Sequence, residues 1–140
     1  MVGTWDIEGS KHFFADLLGA TFIDTPLQDT EAFGLRVSMA FDAGIELSSP
    51  LEGVDSALAA MLTERGEGIV GVVFAVEDAD AAKTRAEALG QKPFYSLDYS
   101  REEIERQLGG AFRTYKEHFF AIADPLNATM LLGEFEPTDQ

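Results

Sequence analysis

The sequence predicts an α+β chain built from one βαβββ unit used twice, and the clearest observation behind this is a doubled helix frame. Trp5-Asp6-Ile7 runs into Leu17-Leu18-Gly19, and Val76-Glu77-Asp78 runs into Ala88-Leu89-Gly90. Asp6 stands thirteen residues before Gly19 and Asp78 twelve before Gly90. Each copy therefore fits an N-cap, about three helical turns and a glycine C-cap. The second observation is that alternating or β-branched segments follow both helices, which is strand patterning.

Taken in order, a short strand over residues 2–5 leads to a helix over 7–18. Phe13, Phe14, Leu17 and Leu18 form an apolar stripe on it that is expected to lie on a sheet. Residues 20–25 and 34–41 read as strands, the second with Leu35, Val37, Met39 and Phe41 on one side against Arg36, Ser38 and Ala40. Asp42-Ala43-Gly44 is a tight turn, and 44–48 closes the first module. A helix over 54–65, with Asp55 as a possible cap, bridges the halves. In the second half, 69–76 is apolar on both faces, as in a strand buried on two sides. A helix over 78–89 and a strand over 91–97 follow. Ser100-Arg101-Glu102-Glu103 has the capping-box form ahead of a short extra helix. Strands over 112–123 and 130–135 complete the module, and 137–140 reads as a frayed tail. The whole is expected to be a single domain over 1–140, with modules of about 1–49 and 68–136 joined by a helical bridge over 50–67.

Composition narrows the function classes. At 140 residues and 46% hydrophobic content the chain has enough apolar residues for a real core. Its formal charge of -15 repels phosphate backbones and anionic lipid headgroups, so neither nucleic acid nor a membrane surface is an expected partner. With no cysteine, disulfides, thiolate metal sites and cysteine nucleophiles are excluded. The chain has no apolar run long enough to span a bilayer and no basic leader, and it reads as soluble and cytoplasmic. Phosphate-binding glycine loops, a nucleophile elbow and the paired-histidine motifs of zinc enzymes are absent, and no nucleophilic triad is evident.

Read as two βαβββ units, the chain resembles the vicinal oxygen chelate superfamily, which includes glyoxalase I, bleomycin-resistance proteins, extradiol dioxygenases and methylmalonyl-CoA epimerase. The epimerase family is nearest by motif. Three segments carry the likeness: Gly44-Ile45-Glu46-Leu47-Ser48-Ser49-Pro50-Leu51, the run from Gly68 to Asp78, and Asp124-Pro125 followed by Leu131-Leu132-Gly133-Glu134. The resemblance implies a glyoxalase-like cupped sheet with helices on its outer face, and a small organic ligand bound in the cup by a homodimer. It also implies a divalent metal held by four side chains, one from each of four strands. Glu46 and Glu134 match two of those positions. Where the epimerase has His-His this chain has Val70-Gly71, and the first-strand ligand falls just upstream of Met1. Two carboxylates make a weak site, since catalytic metals generally want about three protein ligands and an open position. No metal or other cofactor is therefore expected.

Glu46 and Glu134 are the expected catalytic residues, as cavity carboxylates of which one acts as a general base. Alternation turns Ile45 and Leu47 toward the helix layer and Glu46 and Ser48 inward. Arg36, Tyr95, Tyr115 and His118 are the expected ligand-binding residues, with Arg113 and Lys116 as further candidate partners for a carboxylate. His12 lies on the first helix and reads as a surface residue. Three readings remain open. One is a protein that sequesters an organic ligand or catalyses metal-independent proton transfer. A second is a metal-dependent lyase, isomerase or dioxygenase recruiting His118. The third is a structural or regulatory partner protein.

Overall fold

The computed structural model describes residues 1–123 and 125–138, and its chain divides into two compact units, Met1–Ile69 and Val70–Gln140. In the first, β1 (Val2–Gly3) precedes α1 (Ile7–Leu18), β2 (Ile23–Asp24), α2 (Leu27–Thr30), β3 (Leu35–Ala40), β4 (Ile45–Pro50), α3 (Ala57–Arg65) and β5 (Gly68–Ile69). In the second, β6 (Gly71–Ala75) precedes α4 (Ala79–Ala88), β7 (Pro93–Asp98), α5 (Arg101–Leu108), β8 (Phe112–Ala123) and β9 (Ala128–Pro137). Each unit carries one sheet, ordered β2-β3-β4-β1-β5 and β6-β9-β8-β7.

The doubled helix frame is present in both units. Asp6 accepts a hydrogen bond from Gly9 N, and Asp78 from Ala81 N, each satisfying an amide that the first helical turn leaves without an intrahelical partner. Gly19 ends α1 in the left-handed conformation at φ 70°, which a side chain would disfavour. Ser100 and Glu103 form the reciprocal capping box of α5.

Other expectations change. The stripe of α1 does not lie on the sheet: Phe13, Leu17 and Leu18 are 58%, 61% and 57% exposed. The shielded positions are Ile7, Ser10, Lys11, Phe14 and Ala15, one helical face at i, i+3, i+4, i+7 and i+8. Lys11 holds that face to the sheet through Asp24 of β2 at 2.9 Å. Residues 69–76 are not one strand. Val2 and Gly3 pair with Ile69 and Gly68 in the first sheet, whereas Gly71 onward runs parallel to β9 in the second. Ile69 is 72% exposed, so burial on both faces does not hold there. The first strand of the chain is shorter than expected, and within 20–25 only Ile23–Asp24 is strand. A short helical stretch over 27–33 was not expected. The bridging helix is capped by Ser56 rather than Asp55 and packs along β4 within the first unit. Pro137 belongs to β9, and the Thr138 amide donates to Ala111 O; residues 139 and 140 of the expected tail, and Asp124 of the resemblance motif, lie outside the described residues. No helix among the described residues is long and apolar enough to cross a membrane.

Candidate functional site

Cross-strand register assigns every candidate side chain to a face. In the first sheet, Arg36 opposes Ser49, Ser38 opposes Leu47 and Ala40 opposes Ile45. These residues lie under α1, because Arg36 pairs with Glu8 of that helix at 2.8 Å and Ser49 Oγ donates to Trp5 O. Leu47 and Ala40 are fully buried there. The opposite face carries Val37, Met39, Glu46 and Ser48 and, from the edge strand, Ile23. Glu46 therefore occupies a half-shielded, mostly apolar face, as the alternation of β4 requires.

The Glu46 carboxyl sits in surroundings that favour its protonated form. Burial pushes its pKa above the usual carboxylate range; the Met1 amino group and a hydrogen bond from Ser48 Oγ, at 3.3 Å, pull the other way without cancelling that effect. Some of its surface stays accessible, so a ligand lying against this face can reach it. Arg36, expected to bind ligand, is instead on the α1 face and half exposed in its pair with Glu8.

The second sheet makes a different use of its carboxylates. Glu134 opposes Lys116 and lies on the face that α4 covers; its Oε2 accepts from Ala79 N, 3.0 Å away, at the first turn of that helix. His118 is on the same face and almost fully buried, with Nδ1 2.7 Å from Ser96 Oγ and Nε2 3.0 Å from Asp80 Oδ1. Lys116 binds Asp80 as well and reaches Asp98 at 3.3 Å. Tyr95 and Tyr115 fall on the other face, with Glu117 and Phe119. Tyr115 is buried within an aromatic group, stacked on Tyr99 at 5.5 Å and tilted against Phe135 at 4.8 Å, while Tyr95 meets Phe119 edge-on at 5.3 Å.

The repeat itself shows which residues correspond. Thr4, two residues before the Asp6 cap, donates from its amide to Ser48 O; Val76, two before the Asp78 cap, donates to Gly133 O. Ser48 thus matches Gly133, Glu46 matches Leu131, and Glu134 matches Ser49. Ser49 donates to Trp5 O just ahead of its unit's helix and Glu134 accepts from the first turn of its own, whereas Leu131 is fully buried where the first unit has a carboxylate.

This donor set does not fit the four-ligand metal centre that the sequence resemblance implies. Val70 and Gly71 offer no side-chain donor, Leu131 stands at the position matching Glu46, and Glu134 is engaged with α4. No group of three or more histidine or acidic side chains able to hold a metal is found among the described residues. Three residues of interest went unnoticed in the sequence. Glu117 is buried between Tyr115 and Phe119 on one face of β8, a placement that strand alternation already contains. Asp80 and Ser96 have no sequence signal linking them to His118, since neither is near it in the chain. Close to the end of β4, Trp5 and the turn from Pro50 to Asp55 frame a cavity of about 540 Å³, whose lining includes none of the six residues expected to act on a ligand.

The fold is the glyoxalase-like fold of its structural neighbours. Among solved structures, methylmalonyl-CoA epimerase from Mycobacterium tuberculosis matches with TM-score 0.67 and 21% identity, over 99% of this chain and 85% of that one. A methylmalonyl-CoA epimerase in complex with methylmalonyl-CoA and NH4+ matches at TM-score 0.69 and 20% identity, over 97% and 94% of the two chains. A hypothetical protein from Bacillus halodurans C-125 matches at 0.71 and 15% identity, over 99% and 93%. No family model and no curated protein matches the sequence.

Proposed function

We propose that this chain binds a small, partly apolar carbonyl compound against the Glu46 face of its first sheet and moves a proton on that compound through the Glu46 carboxyl. The observation that carries the reading is the position of Glu46: a carboxyl with a raised pKa, on a face otherwise formed by Ile23, Val37, Met39 and Ser48. A carboxylate in apolar surroundings is a stronger base than one in water, which suits it to remove a hydrogen from carbon next to a carbonyl. The fold shared with methylmalonyl-CoA epimerases supports an isomerase-type reaction as the context. Ser48 holds the carboxyl through its hydroxyl.

The formal charge of -15 favours a neutral substrate over a polyanionic coenzyme A ester. Exchange of the carbon-bound hydrogen in heavy water, followed by NMR, tests both points. A neutral β-keto ester such as ethyl methylacetoacetate is expected to exchange faster with the protein present, and methylmalonyl-CoA to gain less. Glu46→Gln should abolish the gain, a loss of about a hundredfold or more if Glu46 is the base. Unchanged exchange in that variant rejects Glu46. Thermal stabilisation by the ester with no exchange in either protein leaves the sequestering role as the correct one.

A further inference from the structure

We propose that Ser96, His118 and Asp80 form a nucleophile, base and orienting carboxylate able to cleave small neutral or cationic carboxylic esters through an acyl-serine. The three belong to the second unit and are separate from Glu46. Ser96 Oγ lies 2.7 Å from His118 Nδ1, and His118 Nε2 lies 3.0 Å from Asp80 Oδ1. This is the arrangement that marks an activated hydroxyl: nucleophile on base, base held by a third group.

The direction of the hydrogen bonds follows from chemistry. Asp80 is kept below the usual carboxylate range, first by its hydrogen bond with Lys116 and then by His118, so it is ionised and can only accept. In the form of the imidazole that can act as a base, Nε2 carries the hydrogen toward Asp80 and Nδ1 keeps a lone pair toward Ser96. Ser96 O–H donates to that lone pair. His118 is 3% exposed, which fixes its ring, while Ser96 is exposed on β7, the edge strand of its sheet. Tyr99 N donates to Tyr115 O, so by the alternation of an antiparallel ladder the Ser96–His118 pair is a close, non-hydrogen-bonded one. The same alternation directs the Ser96 amide outward along the open edge, where it can donate to an oxyanion formed on the serine. The nitrogens are used in the reverse order from the serine proteases, which leaves the relay chemically intact.

In the reaction, Ser96 Oγ adds to the ester carbonyl carbon as its proton passes to Nδ1. The tetrahedral oxyanion collapses, the bond to the alcohol oxygen breaks, and that oxygen takes the proton from Nδ1. Water then gives a proton to Nδ1 and attacks the acyl-serine, releasing the acid and restoring the hydroxyl. The carboxylates of Asp80 and Asp98, only partly offset by Lys116 between them, disfavour anionic esters.

The test is labelling of the full chain with an alkyl fluorophosphonate, alongside hydrolysis of p-nitrophenyl acetate. Peptide mass spectrometry is expected to find the adduct on Ser96. Ser96→Ala should reduce both signals to background, and His118→Gln should slow them by about a hundredfold. Asp80 is a positioning residue: Asp80→Asn should slow labelling by about tenfold or more, with recovery in Asp80→Glu. No adduct on Ser96, or ester hydrolysis unaltered in Ser96→Ala, overturns the proposal. Ser96 and Asp80 are exposed, so their variants decide the matter even if His118→Gln fails to fold.

Discussion

The two units share a capped helix laid against a sheet, and one row of residues on their sheets differs in an instructive way. In the first, β4 places Glu46 on the face away from its helix; in the second, the matching residue on β9 is Leu131, and the nearby carboxylate, Glu134, is one of those under the helix. A side chain moved by an odd number of positions along a strand changes face. A carboxylate at Glu134 therefore supports a helix start, while one at Glu46 faces away from its helix. Similar short motifs in the two halves thus stand in different surroundings.

Exchanging the residues of that row should break the comparison most sharply. Leu131→Glu puts a charge into a fully buried site with no partner and is expected to cost about 3–5 kcal/mol in denaturant unfolding. Glu46→Gln should act in the opposite sense. The raised pKa means that the folded chain keeps its proton while the unfolded chain, as pH rises through the ordinary carboxylate range, has lost it. Wild-type stability therefore falls relative to Glu46→Gln with rising pH, and the two converge in acid. Unfolding curves at acidic and neutral pH check this; a gap that widens in acid contradicts it.

Smaller effects sharpen the equivalence of the helix starts. Asp6→Ala and Asp78→Ala should each cost about 1 kcal/mol, nearly equally, because both carboxylates cap their helix in the same way. A shift seen in only one would show that the two frames are not equivalent. Last, Glu134→Ala should cost about as much as a cap, and Ser49→Ala roughly half as much, since Glu134 holds a helix amide with a charge and Ser49 donates a neutral 3.3 Å bond. Equal losses in thermal melts would remove the distinction drawn between them.

The elements were legible where the signal is local. Asp6 and Asp78 caps, the Ser100 and Glu103 capping box, α1 over its full length and the long strand β8 all depend on residues within a few positions of one another. The stripe on α1 was not, because which apolar face a helix buries depends on what it meets, and here Lys11 and Ile7 face the sheet while Phe13 and Leu17 face outward. The break at Val70 was also hidden: a run of apolar residues has the same pattern whether one strand or two sheets receive it.

For the site, the sequence by itself determined that Glu46 alternates away from buried Leu47, that the chain is strongly acidic, and that Val70 and Gly71 offer a metal no side-chain donor. Only the tertiary structure decided that Arg36 and Glu134 serve helices, that Glu117 is buried beside Tyr115, and that Ser96, His118 and Asp80 meet. The reason is physical. Caps and alternation act over a few residues, whereas cross-strand register joins Ser96 to His118 across 22 positions and packing of α4 on the sheet joins His118 to Asp80 across 38, and no short-range rule reports those distances.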